Sequence, residues 1–523
     1  MTAGRRAVAA RLLALALLAT ACSSTGGETA TDPADQAEGT ASSTAADGGD
    51  STDGASGGDG GATDDGDESV EPAVEPLEPL TEAELAEIRV EVDAAVARYV
   101  DTRSVDSARE VVQVMGQSRD IGYAPWLLDL TQTGISNRLT RDAIDVLGAM
   151  TGFEPTGVTF SDFGQIGSIV ESQAIEPAPG YRDWKLALFE RLDPAFRPLL
   201  ASVTDDDRFN RIRFGGARRG GIPELNDPPR ITAEEAGEWI TDDEIVLGVA
   251  IDGEVVAYPF RIVGHHELVN DTVGGRPVSV VYCTLCRTGL LFDREVEGQV
   301  LDFETSGLLI NSNKIMVDRQ TDTLWHHAAG LGIGGELEGV TLDILPMETT
   351  TWAEWVASHP DTEVLEIPGP IFFEDPERPP IVYPYEPDSP YTAYYDDPTT
   401  WFPIRDVSDA FAAKDEVLGI RHAGGVLAVS VADVVSGPSR YFAVGDGAVV
   451  VVPNSRGARV YAVDEASLDA LSGLDQGSTV TAAVADTDGA VLTDGSTLTR
   501  LAVEQGFWFS WFDLHPDTAR WPE

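Results

Sequence analysis

The sequences WAEWVASHPDT at residues 352–362 and WFSWFDLHPDT at residues 508–518 share the pattern Trp-x-x-Trp-x-x-x-His-Pro-Asp-Thr. Each is preceded, well upstream, by a second shared segment, DEIVLG at 243–248 and DEVLG at 415–419. The recurrence of two segments in the same order indicates an internal duplication. We therefore predict two related units side by side.

The repeated tryptophan motif has the spacing of a short helix that packs on a sheet. Tryptophans three residues apart lie on one helical face, so we interpret the motif as structural. We expect His359 and His515, which follow the tryptophans, to form hydrogen bonds near the helix end rather than to bind a metal.

Around these motifs the chain is rich in short runs of Val, Ile, Tyr and Phe separated by Gly and Asp, as at 245–251 and 278–282. Such runs predict a twisted, mostly antiparallel β structure. Before them, the capping box of Thr81 and Glu84 and apolar residues at helical spacing predict a helical region. This region is expected to be a partner-binding platform or a structural cap.

We therefore predict an α+β fold, an all-helical region followed by a mainly β domain built from two related units. The Tyr-rich run at 383–395 is expected to form an exposed connector between the units, and the alternative is a loop that rims a pocket. The predicted segments are a signal peptide at 1–21, a lipidated cysteine and acidic tether at 22–80, the helical region at 81–220, a first β unit at 221–366, a connecting loop at 367–410 and a second β unit at 411–523.

The N-terminus has the features of a secretory signal. Two arginines precede a short apolar run, and Leu18-Ala19-Thr20-Ala21-Cys22 resembles a bacterial lipobox, after which Cys22 would be acylated. Cleavage elsewhere would leave Cys22 as a free thiol. The following residues to 80 are mostly small or acidic and cannot bury enough apolar surface to fold. We expect a lipid-anchored, extracytoplasmic protein whose disordered tether spans about 40 Å.

Composition excludes several classes of protein. With 88 acidic and 35 basic residues the formal net charge is −53, which would repel nucleic acid. The expected partners are the membrane, through the lipid, and an extracytoplasmic protein or small molecule. Three cysteines cannot supply a disulfide framework, so packing must stabilise the fold.

The remaining cysteines, Cys283 and Cys286, form a CxxC motif in the first unit, where the second unit has Pro-Asn-Ser-Arg-Gly at 453–457. Two thiolates with a nearby imidazole suit Zn or Cu, and His266 is the candidate third ligand, with His326 a weaker one. Adjacent histidines on a strand point in opposite directions, so each of the pairs 265–266 and 326–327 can supply only one ligand. Thiol redox chemistry and an inert disulfide are the alternatives.

From residue 221 onward the chain resembles a family of bacterial proteins known as domain-of-unknown-function family 3179. The residues that carry the resemblance are Ala257-Tyr258-Pro259, His266-Glu267, Val269-Asn270-Asp271, Tyr282-Cys283-x-x-Cys286, Phe292-Asp293-Arg294, Asp318-Arg319 and Leu324-Trp325. Some members carry selenocysteine in the cysteine motif, which implies redox or soft-metal chemistry. Thr284 departs from the usual proline, and His326-His327 replace a Gln-containing stretch. The resemblance therefore favours His266 over His326.

These observations predict a lipoprotein whose first unit binds a soft metal or carries out thiol redox chemistry. Both functions depend on the two sulfur atoms lying together at one turn, which we expect to be accessible. Burial of the sulfurs in apolar packing with no imidazole or carboxylate close by would remove the site. The alternative is a non-enzymatic binding or scaffold lipoprotein that recruits a partner through the helical region or the Tyr-rich run.

Overall fold

The structure is a computed structural model that describes residues 80–522, except for 135, 158, 373–378, 388–389, 406–407, 465–467, 469–470, 472, 485–488 and 493–496. The predicted signal peptide, Cys22 and nearly all of the tether lie outside the described residues. Among the described helices, none combines the length and hydropathy needed to cross a membrane.

Helices dominate the first part of the described chain and recur as short elements later. They are α1 (Glu82–Thr102), α2 (Val105–Ser118), α3 (Ala124–Thr131), α4 (Asn137–Thr151), α5 (Thr159–Ser172), α6 (Tyr181–Leu192), α7 (Phe196–Ala201), α8 (Asp206–Arg211), α9 (Ala233–Ala236), α10 (Phe260–His266), α11 (Trp352–Ser358), α12 (Thr392–Tyr395), α13 (Val431–Val434) and α14 (Trp508–Leu514).

Strands begin at Ile212 and continue to the C-terminus. They are β1 (Ile212–Phe214), β2 (Leu225–Asn226), β3 (Arg230–Thr232), β4 (Ile245–Ile251), β5 (Glu254–Pro259), β6 (Leu268–Val273), β7 (Arg276–Cys283), β8 (Thr288–Asp293), β9 (Glu295–Val296), β10 (Gln299–Val300), β11 (Phe303–Ile310), β12 (Asn313–Asp318), β13 (Leu324–His326), β14 (Leu331–Gly334), β15 (Ile344–Leu345), β16 (Glu348–Thr351), β17 (Glu363–Leu365), β18 (Glu416–His422), β19 (Gly425–Ser430), β20 (Arg440–Val444), β21 (Gly447–Pro453), β22 (Ala458–Val463), β23 (Ala482–Val484), β24 (Gly489–Leu492), β25 (Thr497–Leu501), β26 (Glu504–Phe507) and β27 (Ala519–Trp521). The predicted α+β class is confirmed.

The helical region begins at the predicted capping box, in which the Thr81 hydroxyl accepts from the Glu84 amide. Its centre is aromatic, with Trp126 stacked on Trp184 at 5.4 Å between ring centroids. The region was predicted to be helical throughout, but β1 at its end pairs with β11 of the first β unit. This three-residue strand pairs with a segment far along the chain, so no local sequence pattern revealed it.

The two β units repeat one topology. In the first, strands β16, β4, β5 and β17 are neighbours in that order, and in the second the order is β26, β18, β19 and β27. The last strand pairs in parallel in both units, whereas the other pairs are antiparallel. A meander follows in each unit, β6–β7–β8 and β20–β21–β22. Strand β26 also pairs with β8, which joins the two units in one nine-stranded sheet.

The repeated tryptophan motif is structural, as its pattern predicted. A Cβ atom on Gly419 would lie 2.1 Å from the ring of Trp511, so the indole lies directly on the strand backbone. The Trp511 indole donates to the Thr518 hydroxyl at 3.0 Å, and the His515 ring lies on the indole at 4.1 Å between centroids. Gly248 and Trp355 repeat this contact in the first unit.

The Tyr-rich run does not form the exposed connector that we expected. Tyr383, Tyr385 and Tyr394 are buried. Tyr383 stacks on His265 at 4.6 Å and Tyr385 on His266 at 5.9 Å between ring centroids. The prediction was wrong because proline and aspartate marked the segment as a loop, while the tyrosine rings between them pack against a helix distant in sequence.

Candidate metal centre

The CxxC motif forms the tight turn between β7 and β8. Cys283 is the last residue of β7 and lies opposite Thr288, the first residue of β8. Within the turn the Cys286 amide donates to the Cys283 sulfur at 3.4 Å, and Arg287 has a positive φ of 53°. The Cys286 carbonyl accepts from the Phe507 amide at 2.9 Å, so the second unit holds the turn in place. Both cysteines are free thiols.

His327 is the imidazole that completes the group. One ligand atom from each of Cys283, Cys286 and His327 lies within 4.8 Å of the others, and all three residues are buried. The His327 Nε2 atom lies 3.2 Å from the Val281 carbonyl oxygen, while Nδ1 has no hydrogen-bond partner. Because a carbonyl only accepts, Nε2 must carry the hydrogen, and Nδ1 of the neutral ring keeps its lone pair. The nitrogen available to a ligand is therefore Nδ1.

The two thiols differ in acidity. Burial raises the pKa of Cys283, but interactions with the neighbouring Cys286 and His327 side chains outweigh this effect and bring that pKa well below its usual value. Burial and the neighbouring Cys283 sulfur raise the pKa of Cys286 well above its usual value. The site thus favours one thiolate in the absence of a metal ion, and Cys286 must lose its proton to become a second thiolate ligand.

The turn is not accessible, contrary to the expectation from the sequence. Cys283 is 2% exposed and Cys286 is fully buried. Both belong to one apolar cluster with the helical region and with Phe507 of the second unit. The motif lies at a strand end, which is usually open to solvent, but two distant parts of the chain pack over it.

The histidines favoured by the sequence lie outside this donor group. The ring of His266 lies between the Pro223 carbonyl and the Tyr385 hydroxyl, each 2.7 Å from a ring nitrogen. Burial lowers the pKa of His266 to about 4. His326 accepts from the Ala329 amide at 3.3 Å, and burial lowers its pKa to about 3. The structure brings His327 to the sulfur atoms instead of either residue.

Sequence reasoning also missed the charged residues around the turn. Thr284 donates to Glu267 at 2.9 Å, and Glu267 forms an ion pair with the buried Lys314. The buried carboxyl of Glu504 comes from the second unit. A signal for Glu504 existed, because Glu348 and Glu504 each precede the first tryptophan of their motif by four residues.

Comparison with known proteins identifies a family for this half of the chain. The model of a family described as "Protein of unknown function (DUF3179)" matches residues 219–518. No curated protein and no solved structure matches the chain. Some residues that carry the resemblance bond to one another, since the Trp325 indole donates to Asp318 at 2.9 Å and the Tyr258 hydroxyl to Asp271 at 2.8 Å. These bonds give part of the shared pattern a role in folding.

Proposed function

The chain belongs to the DUF3179 family, and we propose that its first β unit binds a zinc or copper ion through Cys283, Cys286 and His327. We further propose that the protein is lipid-anchored on the outer face of the cell membrane. The convergence of two sulfur atoms and an imidazole within 4.8 Å is the observation that carries the metal proposal.

The surroundings of His327 support metal binding. A metal-binding histidine usually donates its second ring N–H to a carbonyl or carboxylate, which fixes the tautomer and the ring orientation. His327 has this arrangement through Nε2 and the Val281 carbonyl. A buried imidazole nitrogen without a hydrogen-bond partner costs free energy, and coordination of a cation would remove that cost.

The donor set selects the kind of metal. Thiolate and imidazole are soft to borderline ligands that favour zinc and copper over magnesium or calcium. Ligands of one zinc ion lie about 3–4 Å apart, because the metal–ligand bonds are about 2.0–2.3 Å long. The three donor atoms already lie within 4.8 Å of one another, so only small movements of the three side chains are needed to reach these separations.

Metal content of the purified, tag-free protein tests this proposal. We expect one zinc or copper ion per chain by elemental analysis, and loss of that ion in the Cys283→Ser/Cys286→Ser variant. His327→Gln should weaken binding strongly, whereas the matched variant His326→Gln should bind as the wild type does. Absence of metal from reduced, metal-replete protein would refute the proposal.

Thiol redox chemistry is the second candidate, and the unequal acidity of the two cysteines favours it. A low-pKa thiol beside a second cysteine can attack a disulfide and be resolved by its neighbour. Burial of both sulfur atoms opposes exchange with a protein substrate. Equilibration with glutathione buffers tests this candidate, since a potential below about −300 mV indicates a structural disulfide and a higher one supports redox activity.

The lipid anchor rests on the signal-like N-terminus and on the lipobox resemblance at Cys22. We expect the full chain, expressed in a bacterium, to incorporate labelled palmitate and to fractionate with membranes. Cys22→Ser should abolish labelling. Equal labelling of this variant, or a soluble unlabelled wild-type protein, would contradict the anchor.

A further inference from the structure

Glu348 and Glu504 occupy matching positions in the duplicated units. Glu348 begins β16 and pairs with Gly248 on β4, whereas Glu504 begins β26 and pairs with Gly419 on β18. Both side chains are buried. A carboxylate removed from water in this way requires hydrogen-bond donors or a cation.

Glu348 has a complete set of partners, all supplied by the other unit. The Asn454 side chain donates to Oε1 at 2.9 Å, and Arg459 forms an ion pair with Oε2 at 2.6 Å. Arg459 is the second residue of β22, and the second residue of β8 in the first unit is Gly289. The first unit therefore lacks the cation that the second unit offers to Glu348.

Glu504 has no such partners among the described residues. Its Oε2 atom makes no hydrogen bond, and its Oε1 atom lies 3.5 Å from the Ser510 hydroxyl. That hydroxyl is closer to Asn313 Oδ1, at 2.7 Å, and a serine has only one hydroxyl hydrogen to donate. Burial raises the pKa of Glu504, and the charge of Arg421 opposes the rise. The carboxyl group lacks a close counter-charge.

The sheet register places Glu504 on the cysteine side. Gln505 pairs with Gly289 across β26 and β8. Successive residues of a strand point to opposite faces, so Glu504 and Thr288 share the face opposite to these two residues. Thr288 lies directly opposite Cys283 on β7. Glu504 therefore projects from the face of the sheet that carries Cys283.

We propose that Glu504 of the second unit is the fourth ligand of a zinc ion held by Cys283, Cys286 and His327 of the first. This inference rests on the proposed metal function and extends it by naming the ion and the remaining donor. Zinc accepts thiolate, imidazole and carboxylate ligands in a tetrahedral site, whereas copper(I), a soft ion, binds carboxylate oxygen weakly. The ion supplies at Glu504 the positive charge that Arg459 supplies at Glu348.

Glu504 lies outside the group of three donors within 4.8 Å of one another. Its side chain thus closes on the ion when zinc binds. Because the carboxylate comes from β26 and the sulfur atoms from the turn after β7, zinc cross-links the two units. This arrangement also explains why the second unit lacks both thiols. Its Arg459 already supplies the positive charge next to Glu348, so no metal ion is needed at that position.

The test compares Glu504→Gln with the control Glu348→Gln. The control removes the charge of the equivalent carboxylate, which lies away from the sulfur atoms. Zinc affinity is measured on the full chain by competition with a chromophoric chelator, and copper(I) affinity in the same way. We expect Glu504→Gln to weaken zinc binding by at least 10- to 100-fold, because even replacing a residue that only hydrogen-bonds to a metal ligand has an effect of this size. Copper(I) binding should be unchanged. Glu348→Gln should bind both ions as the wild type does.

The outcomes separate this inference from the proposed function. If the wild type and Glu504→Gln bind zinc equally well, the role of Glu504 is refuted while the three-donor site stands. If the wild type binds neither ion, both fail. A crystal structure of the zinc-loaded wild type decides independently of any variant: a Glu504 oxygen should lie about 2.0–2.2 Å from the ion, and a water molecule in that position would overturn the assignment.

Discussion

Protonation of His266 should make the protein lose stability in acid over a defined pH range. The ring is fully buried between two hydrogen-bonding oxygens, and burial lowers its pKa from 6.5 to about 4. In the unfolded chain the imidazole titrates near 6.5. Between these two pKa values the unfolded state binds more protons than the folded state, so the free energy of unfolding falls as the pH falls.

The two pKa values set the magnitude of this effect. One such histidine leaves stability almost unchanged above pH 7, lowers the free energy of unfolding by about 2 kcal/mol at pH 5, and by about 3 kcal/mol at pH 4. Below pH 4 the folded protein also binds the proton, and the effect levels off. Carboxyl groups add their own pH dependence, so the contribution of His266 must be isolated by comparing variants.

Urea unfolding of the wild type and of His266→Gln at pH 7 and pH 5 provides this comparison. Glutamine can replace one of the hydrogen bonds and does not titrate. Whatever stability it loses at pH 7, the variant should lose about 2 kcal/mol less than the wild type between pH 7 and pH 5. His422→Gln is the control, because His422 is only partly buried and its pKa is less affected. Equal losses in the wild type and in His266→Gln would refute the reasoning.

Two further predictions concern the repeated glycine contact and the buried thiols. Gly419→Ala should lower the free energy of unfolding by about 1–3 kcal/mol in urea unfolding, because a Cβ atom there overlaps an indole ring. Gly369→Ala is the control and should not destabilise the protein, because nothing lies within 4 Å of a Cβ atom at that position. Equal unfolding midpoints for Gly419→Ala and the wild type would contradict the Gly419–Trp511 contact. In metal-free, reduced protein, Cys283 and Cys286 should react with a chromogenic disulfide only after unfolding, since both are buried; rapid reaction of the native protein would show that the turn opens.

Much of the fold follows from local patterns in the sequence. The capping box at Thr81 and the helical spacing after it predict α1, and the Trp-x-x-Trp motif predicts α11 and α14. These signals are readable because caps and side-chain periodicity act within a few residues. The order of the repeated segments predicted two related units, which the strand topology repeats.

The candidate site was only half predictable. Cys283 and Cys286 are close in sequence, so any tight turn brings them together. Which histidine lies next to the sulfur atoms depends on strand pairings between distant segments. It is His327, which follows β13, and not His266 at the end of α10.

The sequence by itself determined the segments that repeat, the classes of secondary structure and the pair of thiols, because each depends on residues near one another in the chain. Only the tertiary structure decided that the thiols are buried, that His327 faces them and that Glu504 approaches from the other unit. The physical reason is that β26 joins β8 by long-range pairing, and a one-residue change in that register would turn Glu504 to the opposite face of the sheet.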